Sequence, residues 1–112
     1  PTLLNNFSYS LAERGIRLEE ALEMANRALE LEPNNGAFLD TVGWIYFKLG
    51  DYQQALYYIK RAVEHREGSA EVLEHLGDVY YQLGEQEKAQ EYWQKAYEKD
   101  PDNKALKAKI KP

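Results

Sequence analysis

Few residues in this chain are equipped to do chemistry. His65 and His75 are the only two histidines, and cysteine is absent. Glu71 precedes His75 by four residues, so on a helix the two side chains share a face. Such a pair can hold a metal weakly, but a stable site needs further ligands. A solvated polar face explains it better, and no metal is expected. His65 falls at a helix end, where a base is ordinary. Ser8, Ser10 and Ser69 show no triad context. Glu19-Glu20 sits at a helix start, where the dipole favours acids. No glycine-rich phosphate loop is present. The lack of cysteine excludes disulfides, thiolate nucleophiles and cysteine-ligated zinc or iron–sulfur sites. Neither catalysis nor a cofactor is expected.

Composition narrows the remaining classes. The chain has 112 residues, with 19 acids against 14 bases and a net charge of −5. That length fits one domain or a short array of small repeats. With 44% hydrophobic residues it can bury a core. No apolar run approaches the roughly 20 residues of a membrane span. An acidic balance argues against nucleic acid, which is bound through phosphate neutralisation. The N-terminus lacks the charged start and apolar stretch of a secretory signal. A start at Pro1 points to an excised piece or a processed chain.

What positions these residues is an internal repeat. The run Leu39 to Asp51 overlays Leu73 to Glu85 without gaps, at an offset of 34 residues. Downstream, Ala55 pairs with Ala89, Ile59 with Trp93, and Ala62 with Ala96. Ala21 lies a further 34 residues before Ala55. The first copy diverges at its start. Phe7-Ser8 stands where the others have Val42-Gly43 and Leu76-Gly77, and one residue is inserted in the Gly15-Ile16-Arg17-Leu18 turn. The partition is 1–35, 36–69 and 70–103, with a tail at 104–112. Each unit reads as two helices. In the third, Val72, Leu73, Leu76, Val79, Tyr80 and Leu83 follow helical spacing, and Ala89, Tyr92, Trp93, Ala96 and Tyr97 mark the second helix. Gly43 and Gly77 lack side chains, so the paired helix can come close. One hairpin cannot bury its apolar face alone, and stacked neighbours can.

These residues resemble the tetratricopeptide repeat family, whose 34-residue signature is known. In the third unit Leu76-Gly77, Tyr80, Gly84, Ala89, Trp93, Ala96 and Pro101 sit at signature places. In the second, Gly43, Tyr46, Gly50, Ala55 and Ala62 do, with Glu67 where proline is expected. The first keeps Ala21, Ala28 and Pro33. The resemblance implies an all-α, right-handed helix-turn-helix solenoid that binds proteins and has no chemistry of its own. The first copy, Leu4 to Glu13 with its longer turn, resembles a variant from long repeat proteins of bacterial envelopes and secretion systems. That suggests a bacterial segment of a longer array and leaves the compartment open.

In this family the first helices line a concave groove that takes a peptide. By resemblance, the groove-facing places are Thr2, Asn5, Tyr9, Ala12 and Glu13 in the first unit. They are Ala37, Asp40, Trp44, Phe47 and Lys48 in the second, and Glu71, Glu74, Asp78, Tyr81 and Gln82 in the third. The expected groove has an aromatic floor of Tyr9, Trp44, Phe47 and Tyr81, and an acidic flank of Asp40, Glu71, Glu74 and Asp78. Aromatics are favoured interface anchors, and acids favour a partner carrying Lys or Arg. Some family members grip a chaperone's C-terminal carboxylate with Lys, Arg and Asn. The corresponding places here hold Asn5, Tyr9, Glu71 and His75, and acids there repel a carboxylate.

The two ends differ. Charge by unit is 3 bases and 6 acids, 4 and 4, 3 and 9, then 4 and 0 in the tail. Leu106 and Ile110 lie four apart, which predicts a short capping helix with its lysines near the third unit's acids. At the other end Leu3, Leu4 and Phe7 form an apolar stripe with no evident cap. It could meet a preceding repeat or a second copy of the chain. A protein-binding scaffold is therefore expected, with a structural segment that self-associates through its ends as the rival. A carbohydrate or cationic ligand in the groove is a third option that no residue set singles out. The groove assignment predicts that Trp44→Ala weakens partner binding and leaves helicity nearly unchanged, measured by circular dichroism.

Overall fold

The computed structural model describes residues 1–65 and 69–111. Glu67, at the proline place of the second unit, lies outside the described residues. Among those described, regular structure is helical throughout. The order is α1 (Thr2–Arg14), α2 (Leu18–Leu31), α3 (Gly36–Leu49), α4 (Tyr52–His65), α5 (Ala70–Gln82), α6 (Gln86–Lys99) and α7 (Lys104–Lys109). No helix among the described residues is long and apolar enough to cross a membrane.

Helix starts repeat with the 34-residue period. The side chains of Asn35, Ser69 and Asn103 accept hydrogen bonds from the backbone N–H of Phe38, Val72 and Leu106 at 3.1, 3.4 and 2.9 Å. Each satisfies one donor that the first turn leaves free, worth about 1 kcal/mol. The place in register at the first unit is Pro1, which has no side chain to do this. The residue inserted in the first turn leaves a mark as well. Arg17 has φ 49°, a left-handed conformation usually left to glycine.

Three hairpins, α1/α2, α3/α4 and α5/α6, stack in order, with α1 against α3 and α3 against α5. Ala21, Ala28, Ala55, Ala62, Ala89 and Ala96 are all fully buried, so the second helices pack on small residues at fixed places. Close approach within a hairpin centres on two glycines. A Cβ on Gly43 would sit 2.5 Å from Ile59 Cγ1 and 3.2 Å from the Ile59 backbone nitrogen, and one on Gly77 would overlap the Trp93 indole. The first unit solves the same contact by exchanging sizes. Ser8 and Ala25, both fully buried, occupy the places of Gly43 and Ile59. The Ser8 hydroxyl is satisfied by the carbonyls of Leu4 and Asn5 at 2.9 and 3.0 Å.

The last helix closes the stack. Leu106 is fully buried in the core and Ile110 is half-buried against it. Gln90 on α6 holds the tail by its backbone. Its amide nitrogen donates to the Lys109 carbonyl at 3.1 Å, and its oxygen accepts from the Lys111 N–H at 2.9 Å.

Overpacking follows from the glycine contacts. Gly43→Ala is expected to cost about 1–3 kcal/mol, read as a lower midpoint in urea denaturation. Adding Ile59→Ala recreates the size pairing of Ser8 and Ala25. The two changes together should cost less than the sum of the singles, and strict additivity would sink this account of the contact.

Candidate functional site

The first helices α1, α3 and α5 carry the expected groove residues, and the structure divides those residues into a closed centre and two open clefts. At the centre, the Trp44 ring stacks on His75 at 3.8 Å between centroids and on Phe47 at 4.5 Å. The indole N–H of Trp44 donates to Glu13 Oε1 on α1 at 2.8 Å. The Lys48 ammonium lies 5.2 Å from the Trp44 ring centroid. Trp44 is only 7% exposed. It is therefore packed inside the wall rather than open to a partner, because helices from three repeats converge on its ring. Asp40, expected on the acidic flank, is buried too, and so is Asn5.

His75 is the residue that sequence reasoning missed. It was expected on a solvated face, and it is 6% exposed. Its Nδ1 lies 2.9 and 3.0 Å from the two Asp40 carboxylate oxygens. Burial opposes its charge most strongly. The Asp40 carboxylate, the hydrogen bond to it, and Glu71 and Asp78 beyond together outweigh burial, and the imidazole titrates above its ordinary 6.5. Asp40 stands at the fifth place of its repeat and His75 at the sixth place of the next, 35 residues on. The same spacing recurs between Glu74 and Lys109, whose ammonium donates to Glu74 Oε2 at 2.7 Å. Lys109 also donates to Asp78 Oδ1 at 2.9 Å, and that oxygen accepts from the Trp93 indole at 3.0 Å. Burial lowers the Lys109 pKa, and its bonds to Glu74 and Asp78 more than restore it, so the net shift is upward. Two acids of the expected flank are thus neutralised from within. The repeated 35-residue acid-to-base spacing was the signal for both pairs.

The downstream cleft has a volume of about 500 Å³ and lies between α5, α6 and the end of the chain. Phe47, Asp78, Tyr81, Trp93 and Lys109 line it. Tyr81 is 52% exposed, tilted against Trp93 at 5.6 Å. The upstream cleft, about 340 Å³, lies between α1, α3 and α5 and is lined by Asn5, Tyr9, Asp40, Thr41 and Glu71 among others. Tyr9 is half-buried and faces His75 at 6.4 Å. Burial raises its pKa, and the charges of Glu71, Glu13 and Asp40 raise it further, so the phenol stays protonated. Asp40, Glu71 and His75 place one possible ligand atom each within 4.8 Å of one another. Tertiary packing thus adds Asp40 to the Glu71–His75 pair. Of the expected end residues, Leu3 and Phe7 are exposed and Leu4 is half-buried.

A family model described as tetratricopeptide repeat matches residues 36–69 and 70–103. The chain belongs to the tetratricopeptide repeat family. A TPR repeat-containing protein of Pseudomonas aeruginosa is 40% identical over 52 residues, which is 46% of this chain. This chain spans 9% of that relative's length. Among solved structures, the first TPR domain of human RPAP3 is similar at a TM-score of 0.88 and 17% identity, covering 97% of this chain and 85% of that one. PcrH, solved in complex with the chaperone binding region of PopB, is similar at 0.78 and 18%, covering 96% and 86%. At these identities the likeness speaks to the TPR fold.

Two predictions follow from the closed centre. Trp44→Ala is expected to destabilise the TPR domain by about 3–5 kcal/mol, read by chemical denaturation, in contrast to the mild effect expected of a groove-floor residue. The raised His75 value means that the ion pair stabilises fully below about pH 6.5 and that this contribution is lost as pH rises through the folded-state value. Urea midpoints are therefore expected to fall as pH rises above about 6.5. Asp40→Asn should abolish or reverse that slope, and a flat wild-type profile would contradict the pairing.

Proposed function

We propose that this TPR domain is a protein-interaction module that holds a polypeptide segment along the face of α1, α3, α5 and α7, with no chemistry of its own. Tyr81 carries the proposal. It is a large aromatic half open to solvent at the mouth of the larger cleft, beside Phe47 and Trp93. An exposed tyrosine over apolar walls offers area and a hydrogen-bonding edge at little conformational cost. The fold likeness supports a polypeptide ligand, because the similar first TPR of Spaghetti (RPAP3) has been solved with the HSP90 peptide SRMEEVD and PcrH with a region of PopB. Acid-rich SRMEEVD itself does not suit this chain. Asp40 and Glu71 line the upstream cleft, and acids there disfavour a carboxylate ligand. A partner with basic residues fits better.

A second reading has its own observation. Leu3 is 85% and Phe7 55% exposed on α1, an apolar edge suited to self-association or to a further repeat. In that reading the chain is a structural stretch whose ends do the binding.

Peptides selected from a displayed random library on the immobilised protein separate the two. They are expected to bind Tyr81→Ala at least about tenfold more weakly, with helicity unchanged. Peptides indifferent to Tyr81→Ala, together with a concentration-dependent dimer in ultracentrifugation that Phe7→Asp abolishes, would move the function to the end.

A further inference from the structure

The paired places along the first helices form a ladder with one rung open. The fifth place of each unit faces the sixth place of the next. Asp40 meets His75 and Glu74 meets Lys109, each acid paired with a base. At the first rung the same places hold Asn5 and Thr41, and no such bond forms. The Thr41 hydroxyl turns back to the Ala37 carbonyl at 3.0 Å. Asn5 Oδ1 is buried with no hydrogen-bond partner. A buried acceptor left unpaired costs about 1–3 kcal/mol, so an orphan at one place on a ladder otherwise satisfied calls for an external donor.

Asn5 and Thr41 both line the upstream cleft. Its other polar side chains include Asn6 and Ser10, which both donate and accept, and no base lines it. Asp40 and Glu71 contribute carboxylates, and Tyr9 a hydroxyl. The Asp40 charge is balanced by His75, and Glu74 and Asp78 are engaged by Lys109. The Glu71 carboxylate is exposed and makes no ion pair among the described residues. The cleft therefore carries about one uncompensated negative charge beside an unsatisfied acceptor.

We propose that this cleft is a subsite for one guanidinium group, the side chain of an arginine on the polypeptide held in the groove, and this rests on the groove reading above. A guanidinium has five donors, no acceptor and a planar shape. It can donate to Asn5 Oδ1 at the floor and to the Glu71 carboxylate at the rim, and lie against the Tyr9 ring. A metal ion fits less well. It would have to take Asp40 and His75 from each other, since Nδ1 of His75 engages both Asp40 oxygens. The cleft inverts the charge of the carboxylate grip described for other family members.

The test is a nuclear magnetic resonance titration of the intact chain with Nα-acetyl-arginine amide, with its neutral isostere Nα-acetyl-citrulline amide, and with zinc chloride. Arginine amide is expected to give saturable shifts at Asn5, Thr41 and Glu71. Citrulline amide should bind at least about tenfold more weakly. Glu71→Gln should weaken arginine binding by a similar factor. Asn5→Leu should weaken it too without lowering the melting temperature, because Oδ1 has no partner to lose. Equal response to citrulline, or no saturable shift, overturns the subsite. Zinc acting where arginine amide does not also overturns it, in favour of a metal site. The two readings fail separately. Loss of arginine binding while Tyr81-dependent peptides still bind removes only the subsite. Arginine binding without any Tyr81-dependent peptide supports the guanidinium site and overturns its polypeptide source.

Discussion

The contact on which the groove depends is the ion pair between Asp40 and His75. It joins the first helix of one repeat to that of the next at nearly full burial. Two buried charges carry a large desolvation cost, so the pair adds little net stability over apolar side chains of the same shape. Its effect is on register. Asp40 left alone would be a buried unpaired charge and His75 a buried donor without its partner, so α3 and α5 are held where the carboxylate and imidazole meet. Trp44 then stacks on the fixed imidazole, its indole N–H reaches Glu13 on α1, and three repeats share one centre.

That centre explains why the wall has two clefts instead of one continuous trough. The stack of His75, Trp44 and Phe47 fills the middle. Upstream, the rung without a charge pair leaves a polar hollow. Downstream, Tyr81 and Trp93 leave an apolar one. The acidic balance of the third repeat also changes meaning once α7 is in place. Lys109 sits on Glu74 and Asp78, so acids that look available for a partner are largely satisfied within the chain. The same short helix buries Leu106 and covers the end of the stack.

Within each hairpin a second constraint sets the distance. Glycine faces a large residue in the second and third units, and serine faces alanine in the first. Each pair keeps at least one small residue at the contact while the partner varies from alanine to tryptophan. This lets the first unit depart from the repeat signature and still pack. The inserted residue in its turn is absorbed by the left-handed backbone at Arg17.

The sequence by itself determined the two helices of each unit, the small residues that face across the hairpins, and the capping role of Leu106 and Ile110. All of these depend on local chemistry repeated at a fixed period. A capping side chain acts within one turn, and an apolar stripe shows its spacing along one helix. The tertiary structure alone decided which groove residues are open. Asn5 and Asp40 are buried at the fifth place where Glu74 is half-buried, and Trp44 is buried at the ninth where Tyr9 and Asp78 are half-buried. Whether each is covered depends on the angle and separation of helices from different repeats. His75 shows the limit most plainly. Its spacing to Asp40 was present in the sequence, but only the packing of α5 against α3 brings the imidazole onto the carboxylate and the indole at once. Asn5 is the converse case. Its type and place were legible, and only the assembled wall shows that its oxygen faces nothing.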